Sequence, residues 1–264
     1  RFSCFLLAMR DNESKISWGN GVELLVVVTA VVAAGFFSKL PDYFSIASEN
    51  YYIRNAGFIA FLPLIAFFGW KRKLPFSNGL IVSAIIATAA LYINLVPGEF
   101  PDYGDTMILA FIHLPVFLWF VFGAVFIDLK PKNANDRMGF LRYNADLVVV
   151  STLILISGAI LTGITFALFA TIEIDIQDFY FDYVVIHGLV GAPIVANFVI
   201  SKNPNLVHKV SPIIARIFAP LVLLTVIAYL VSVVYTGKDP YNDREFLLIF
   251  NGLLIAVMGI VIFS

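Results

Sequence analysis

The chain has 264 residues, of which 60% are hydrophobic and only 13% charged, and its mean hydropathy is +0.92. An average soluble domain carries about 25% charged residues, and a core of this size could not hide so much apolar surface from water. The formal net charge of −1 gives no basic excess for nucleic acid, and the single cysteine, Cys4, rules out an intrachain disulfide or a cysteine-rich metal site.

In chain order, the first element is the apolar run RFSCFLLAM over residues 1–9. It is too short for a hydrocarbon core of ~30 Å, and no signal-peptide cleavage pattern follows it. Without an initiator methionine, it reads as an interfacial segment or the tail of a truncated helix. Eight apolar segments then follow, at about 20–38, 52–70, 78–96, 106–127, 147–172, 184–200, 213–235 and 246–264. Each is close to the ~20 residues that a helix needs to cross a bilayer. The sixth holds Gly188, Gly191 and Pro193 and is the least regular of them. The eighth runs to the last residue, which points to a chain that continues at both ends. The expectation is an all-α polytopic membrane bundle of about eight transmembrane helices, forming one domain over 1–264.

Alternating the loops divides the charges. One side collects 13 of the 17 Lys and Arg residues; the other holds only Lys39, Arg54, Lys238 and Arg244. Positive charge close to span ends is retained in the cytoplasm, so the first side is predicted to be cytoplasmic, with both termini there, in a bacterial inner membrane. Twelve of the 18 acidic residues fall on the opposite side, among them Asp42, Asp182, Asp239, Asp243 and Glu245. The longest loop, about 128–146, contains GFLRY, which could lie along the interface. Tyr51, Tyr52, Trp70, Tyr103, Tyr143, Tyr180, Tyr183 and Tyr235 gather near predicted span ends, as in an aromatic belt.

Ile217–Tyr229 and the run DPYNDREFLLIFN from Asp239 to Asn251 resemble a family of uncharacterised bacterial multi-pass proteins, domain of unknown function 4153. RMGFLRYNADLVVVSTLILISGAILTG upstream is similar in placement, so the resemblance covers roughly residues 105–264. It implies an integral inner-membrane protein. It brings no agreed activity and no catalytic residues.

Polar residues inside or beside the spans are the remaining candidates. His113 lies roughly 10 Å into the fourth span and His187 roughly 5 Å into the sixth, counting 1.5 Å per residue. Two imidazoles at similar depth could ligate a haem, relay protons or simply bond neighbouring helices. Asn94, Asn197 and Asn251 are span amides that commonly tie helices together. Arg216 can snorkel to the interface, and Pro220 removes the bond that would close on its carbonyl. Asp243 and Arg244 belong to the charged turn before the last span; they can lock two helices or line an outward-facing site. Glu23 suits the N-terminus of the first span.

No phosphate loop, H-E-x-x-H or G-x-S-x-G motif occurs, so no enzyme activity, metal or cofactor is expected. Two readings follow. In the first the protein is transporter-like or permease-like, with a path near the sixth and seventh spans and Arg216, His113, His187, Asn251, Arg244 and Asp243 as functional or gating candidates. In the second it is a structural or accessory subunit that meets other membrane protein subunits as well as the lipid bilayer.

Overall fold

The computed structural model describes residues 19–98, 102–129, 134–203, 210–236 and 244–263. Among them every regular element is helical: α1 (Gly21–Ser38), α2 (Leu40–Phe44), α3 (Ser48–Lys71), α4 (Phe76–Leu95), α5 (Asp105–Phe126), α6 (Ala134–Thr171), α7 (Gln177–Tyr180), α8 (Ile186–Lys202), α9 (Val210–Thr236) and α10 (Arg244–Phe263). A π-helical turn, Phe181–Val185, joins α7 to α8 without a break. Seven stretches are long and apolar enough to cross a membrane, and they coincide with the first seven expected spans. The eighth expected span is also a single helix, α10. This is a multi-pass membrane protein.

Two boundaries differ from expectation. The GFLRY stretch is not a separate interfacial segment; it lies within α6, which runs unbroken for 38 residues. No proline or glycine pair interrupts that stretch, and Phe140 and Tyr143 bury themselves against the bundle, so continuing the helix satisfies the backbone and the aromatic rings together. In the sixth span the irregularity is the π turn, placed before Gly188, Gly191 and Pro193 rather than at them.

Most of these helices are apolar all round, so their outer faces remain exposed, for example Val28, Leu80, Ile112, Phe120 and Leu224. That is the pattern of helices in lipid, where the solvent-facing side is as apolar as the core. Many hydroxyls within the spans are satisfied locally. The hydroxyls of Thr29, Thr88, Ser157, Thr165, Thr225 and Ser232 each donate to the carbonyl four residues earlier, at 2.7–3.1 Å. Pro63, Pro115, Pro193 and Pro220 sit inside helices and leave the carbonyls of Ile59, Phe111, Leu189 and Arg216 without their usual donor.

Helices α3 and α8 are the most enclosed spans. α3 packs chiefly on α5, and α8 on α6 and α1, while α4 lies outside α3 and α5 and both α9 and α10 lean on α6. An aromatic node ties the two halves. Phe68 of α3 meets Phe126 of α5 at 5.0 Å and Tyr143 of α6 at 5.3 Å, and Phe122 meets Phe140 at 5.4 Å. Aromatic pairs in offset or edge geometry add about 0.5–1.5 kcal/mol each beyond contact area.

Helix ends show a common device. After α3, Lys73 takes φ 51°, its N–H donates to the Trp70 carbonyl and the Leu74 N–H to the Gly69 carbonyl. The same Schellman closure ends α5 at Asp128 and α6 at Glu173. Glycine is the usual residue at this left-handed position, and a side chain there costs about 1–2 kcal/mol. Here charged residues occupy it. Lys73→Gly should therefore raise the unfolding free energy by about 1 kcal/mol in mixed-micelle unfolding; a loss of stability would show instead that the lysine side chain makes a compensating contact.

Candidate functional site

The polar residues collect along α8 and the helices that enclose it. α1 and α8 run antiparallel and are joined by ion pairs at both ends. At the start of α1, Asn20 and Glu23 form a reciprocal capping box, with the Glu23 N–H donating to Asn20 Oδ1 at 2.9 Å. The Glu23 carboxylate also accepts from the Lys202 ammonium at the end of α8. At the other end Lys39, which caps α1, donates to Asp42 Oδ2 at 2.8 Å and lies 3.0 Å from Asp182 Oδ1 in the π turn. Sixteen residues of helix separate Glu23 from Lys39, about 24 Å at 1.5 Å per residue. The two pairs thus bracket a thickness close to the hydrocarbon core of ~30 Å.

Lys39 is almost fully buried. Burial opposes its charge, but the hydrogen bonds it donates to Asp42 and Asp182 outweigh that penalty and hold the ammonium above the usual lysine range. The last carbonyls of α1 are completed from α3: Tyr51 donates to the Phe37 carbonyl at 2.6 Å and Tyr52 to the Ser38 carbonyl at 2.8 Å. Arg54 does the same for α4. Its Nη1 donates to the carbonyls of Ile93, Asn94 and Val96 at 3.0–3.1 Å, and its Nη2 to that of Gly98 at 2.5 Å. Two of the few cations on the acidic side therefore serve as locks.

Between these ends the seam holds two buried polar stations. His187, the second residue of α8, lies against Gly35 of α1: a Cβ there would fall 2.1 Å from its Cδ2 and 2.4 Å from its Nε2. Only glycine allows this approach. The His187 Nδ1 is buried with no hydrogen-bond partner among the described residues. Nearer the Glu23–Lys202 end, Tyr143 of α6 donates to Oδ1 of Asn197, which is 0% exposed, while the Nδ2 of that amide has no partner. An unpaired buried polar atom costs about 1–3 kcal/mol, and Arg54 Nε, Asp128 Oδ1 and Ser151 Oγ are likewise without a hydrogen-bond partner among the described residues.

The other sequence candidates lie elsewhere. His113 is exposed on α5, with its Nδ1 2.8 Å from the Leu109 carbonyl of its own helix. It does not face His187, so the two imidazoles are not arranged as a ligand pair. Arg216 on α9 and Asn251 and Arg244 on α10 are exposed. None of the three lines the seam along α8. Asp243 lies outside the described residues. Asn94 exchanges paired amide hydrogen bonds at 3.0 Å with Asn55 of α3. Among the described residues no group of three or more His, Cys, Asp or Glu side chains is placed to hold a metal ion. A cavity of about 270 Å³ opens at the α6–α7 turn, between Phe166, Ala170 and the Glu173–Gln177 backbone; it does not include Arg216 or Asn251.

Sequence reasoning missed Lys39, Asp182, Gly35 and Tyr143. A cation at the end of a span on the acidic side was the available signal for Lys39. Nothing local in the sequence pairs Gly35 with His187, because that contact joins residues 152 positions apart.

Two outcomes test this geometry. Gly35→Ala should lower stability by roughly 1–3 kcal/mol through overpacking, and His187→Ala in the same chain should recover much of that loss. Because the Lys39 ammonium is raised in the fold, its contribution is complete below the unfolded lysine value of about 10.4 and is lost as pH rises through the folded value. The thermal unfolding temperature should therefore fall at strongly alkaline pH, and Lys39→Met should remove that component. Compared with known proteins, the chain matches no family model, no curated protein and no solved structure.

Proposed function

We propose that this protein is a non-enzymatic integral subunit of a larger membrane assembly, placed in a bacterial inner membrane with its Lys- and Arg-rich loops in the cytoplasm. The observation that carries this reading is His113. It sits eight residues into α5, about 12 Å deep, on an outward face with Ile112, Val116 and Phe120 around it. Its Nδ1 donates to the Leu109 carbonyl, which leaves Nε2 of the neutral ring as an acceptor on an exposed side chain. In hydrocarbon such an acceptor is costly until a donor on another transmembrane helix meets it. Asn251 on α10 repeats the situation with an outward amide. Arg216 and Asn251, two of the gating candidates, are exposed.

The permease-like reading draws on a different observation, the unpaired His187 Nδ1 and Asn197 Nδ2 along α8. Intramembrane polar groups beside a π turn are frequent at functional positions. A photo-crosslinking amino acid at position 112 or 116, in cells, separates the two. The subunit reading requires a discrete protein adduct that His113→Leu weakens. Crosslinks to lipid alone, with a monomer on native mass spectrometry, would overturn it; substrate-dependent protection of a cysteine placed at 187 or 197 would favour transport.

A further inference from the structure

We propose that the α3–α4 turn is a binding site for the phosphate of an anionic phospholipid. The proposal is independent of the assembly reading above. The turn reads Trp70-Lys71-Arg72-Lys73-Leu74-Pro75-Phe76, three successive cations between two exposed aromatic residues, Trp70 at 45% and Phe76 at 87% exposure. The Schellman closure folds this into one tight corner and places Lys73 in the left-handed conformation at φ 51°. Leu74 anchors the corner, since its Cδ1 lies 3.6 Å from where a Cβ on Gly69 would be.

The charges around the corner do not cancel. Arg72 lies 3.9 Å from Asp128 and its guanidinium sits over the Phe126 ring at 5.5 Å. Lys202 is taken by Glu23. Lys71 donates to the Ser201 carbonyl at 3.1 Å and lies 5.9 Å from the Phe67 and Phe68 ring centroids, which leaves two of its three donors without a hydrogen-bond acceptor among the described residues. Lys71 and Lys73 have no carboxylate within ion-pairing distance among the described residues. Four cations here meet two carboxylates, and the excess falls on the two lysines of one turn.

A phosphodiester supplies the missing charge and the acceptor oxygens that two ammonium groups can share. The flanking rings decide between a lipid and free phosphate. Trp70 ends a span, where indole rings favour the headgroup level, and Phe76 opens α4, where acyl chains would lie against it. Soluble phosphate would use neither ring.

The test uses the full chain in nanodiscs of phosphatidylcholine doped with phosphatidylglycerol, reading retained lipid by native mass spectrometry. Wild type should retain phosphatidylglycerol selectively, and millimolar inorganic phosphate should not displace it. Lys71→Gln with Lys73→Gln should reduce that selectivity roughly tenfold or more, at about 1 kcal/mol for each lysine near a charged surface. Lys73→Gly should weaken retention while leaving the fold intact, so unfolding of the double variant would not hide the answer. Arg137→Gln with Arg142→Gln removes the same charge from the same membrane side and should leave selectivity unchanged. Unchanged retention in the lysine variants, equal loss in the arginine control, or displacement by inorganic phosphate would each overturn the site.

Discussion

In hydrocarbon a polar group must find its partner within the protein, and the placement of nearly every polar side chain here follows from that requirement. The clearest instance is the antiparallel pair α1 and α8, held by Glu23–Lys202 at one end and by Lys39 with Asp42 and Asp182 at the other. Breaking a partly buried pair strands a charge in a medium that solvates it poorly, which costs more than the pair contributes when whole. The two pairs therefore fix register more than they add stability. Between them the helices approach closely through glycine, Gly35 under His187 and Gly191 against Val31.

The remaining helices join this frame by completing one another's ends. α3 supplies Tyr51 and Tyr52 to the carbonyls that close α1, and Arg54 to those that close α4. At the opposite membrane side Lys71 of α3 reaches the last turn of α8 at Ser201. α6 enters through aromatic contact and through Tyr143 on Asn197. One consequence is that α3 and α8, the most enclosed spans, carry most of the inter-helix polar bonds. The hydroxyls of Thr88 on α4 and of Thr225 and Ser232 on α9 bond their own backbone, while Asn94 and Tyr229 tie these peripheral helices to α3 and α6.

The same rule separates residues that are structurally spent from those with capacity left over. Asn94 and the terminal nitrogens of Arg54 are engaged as ties between α3 and α4, although Arg54 Nε has no partner among the described residues. His187 and Asn197 keep one unpaired atom inside the bundle, and His113 is exposed on α5. The α3–α4 turn keeps excess charge at the interface. Unspent polar capacity is available to a proton, a second helix or a lipid headgroup, and its location on the molecule indicates which.

The sequence by itself determined the fold class, the positions of the spans and their alternation, because a ~20-residue apolar run leaves the backbone no choice but a helix. It marked His113, His187, Arg216 and Asn251 as polar residues in apolar surroundings. It could not assign them to the inside or the outside, since a helix that is apolar all round has no stripe to reveal its buried face. Only the tertiary structure decided that His187 lies in a notch at Gly35 while His113, Arg216 and Asn251 face outward. It likewise decided that Lys39 and Arg54 are locks. Those assignments depend on which helices are neighbours, and contacts between distant segments leave no periodic trace along the chain. Thus all eight apolar segments are helical, seven of them long and apolar enough to cross a membrane, and the buried polar contacts gather along α8, within the sixth segment.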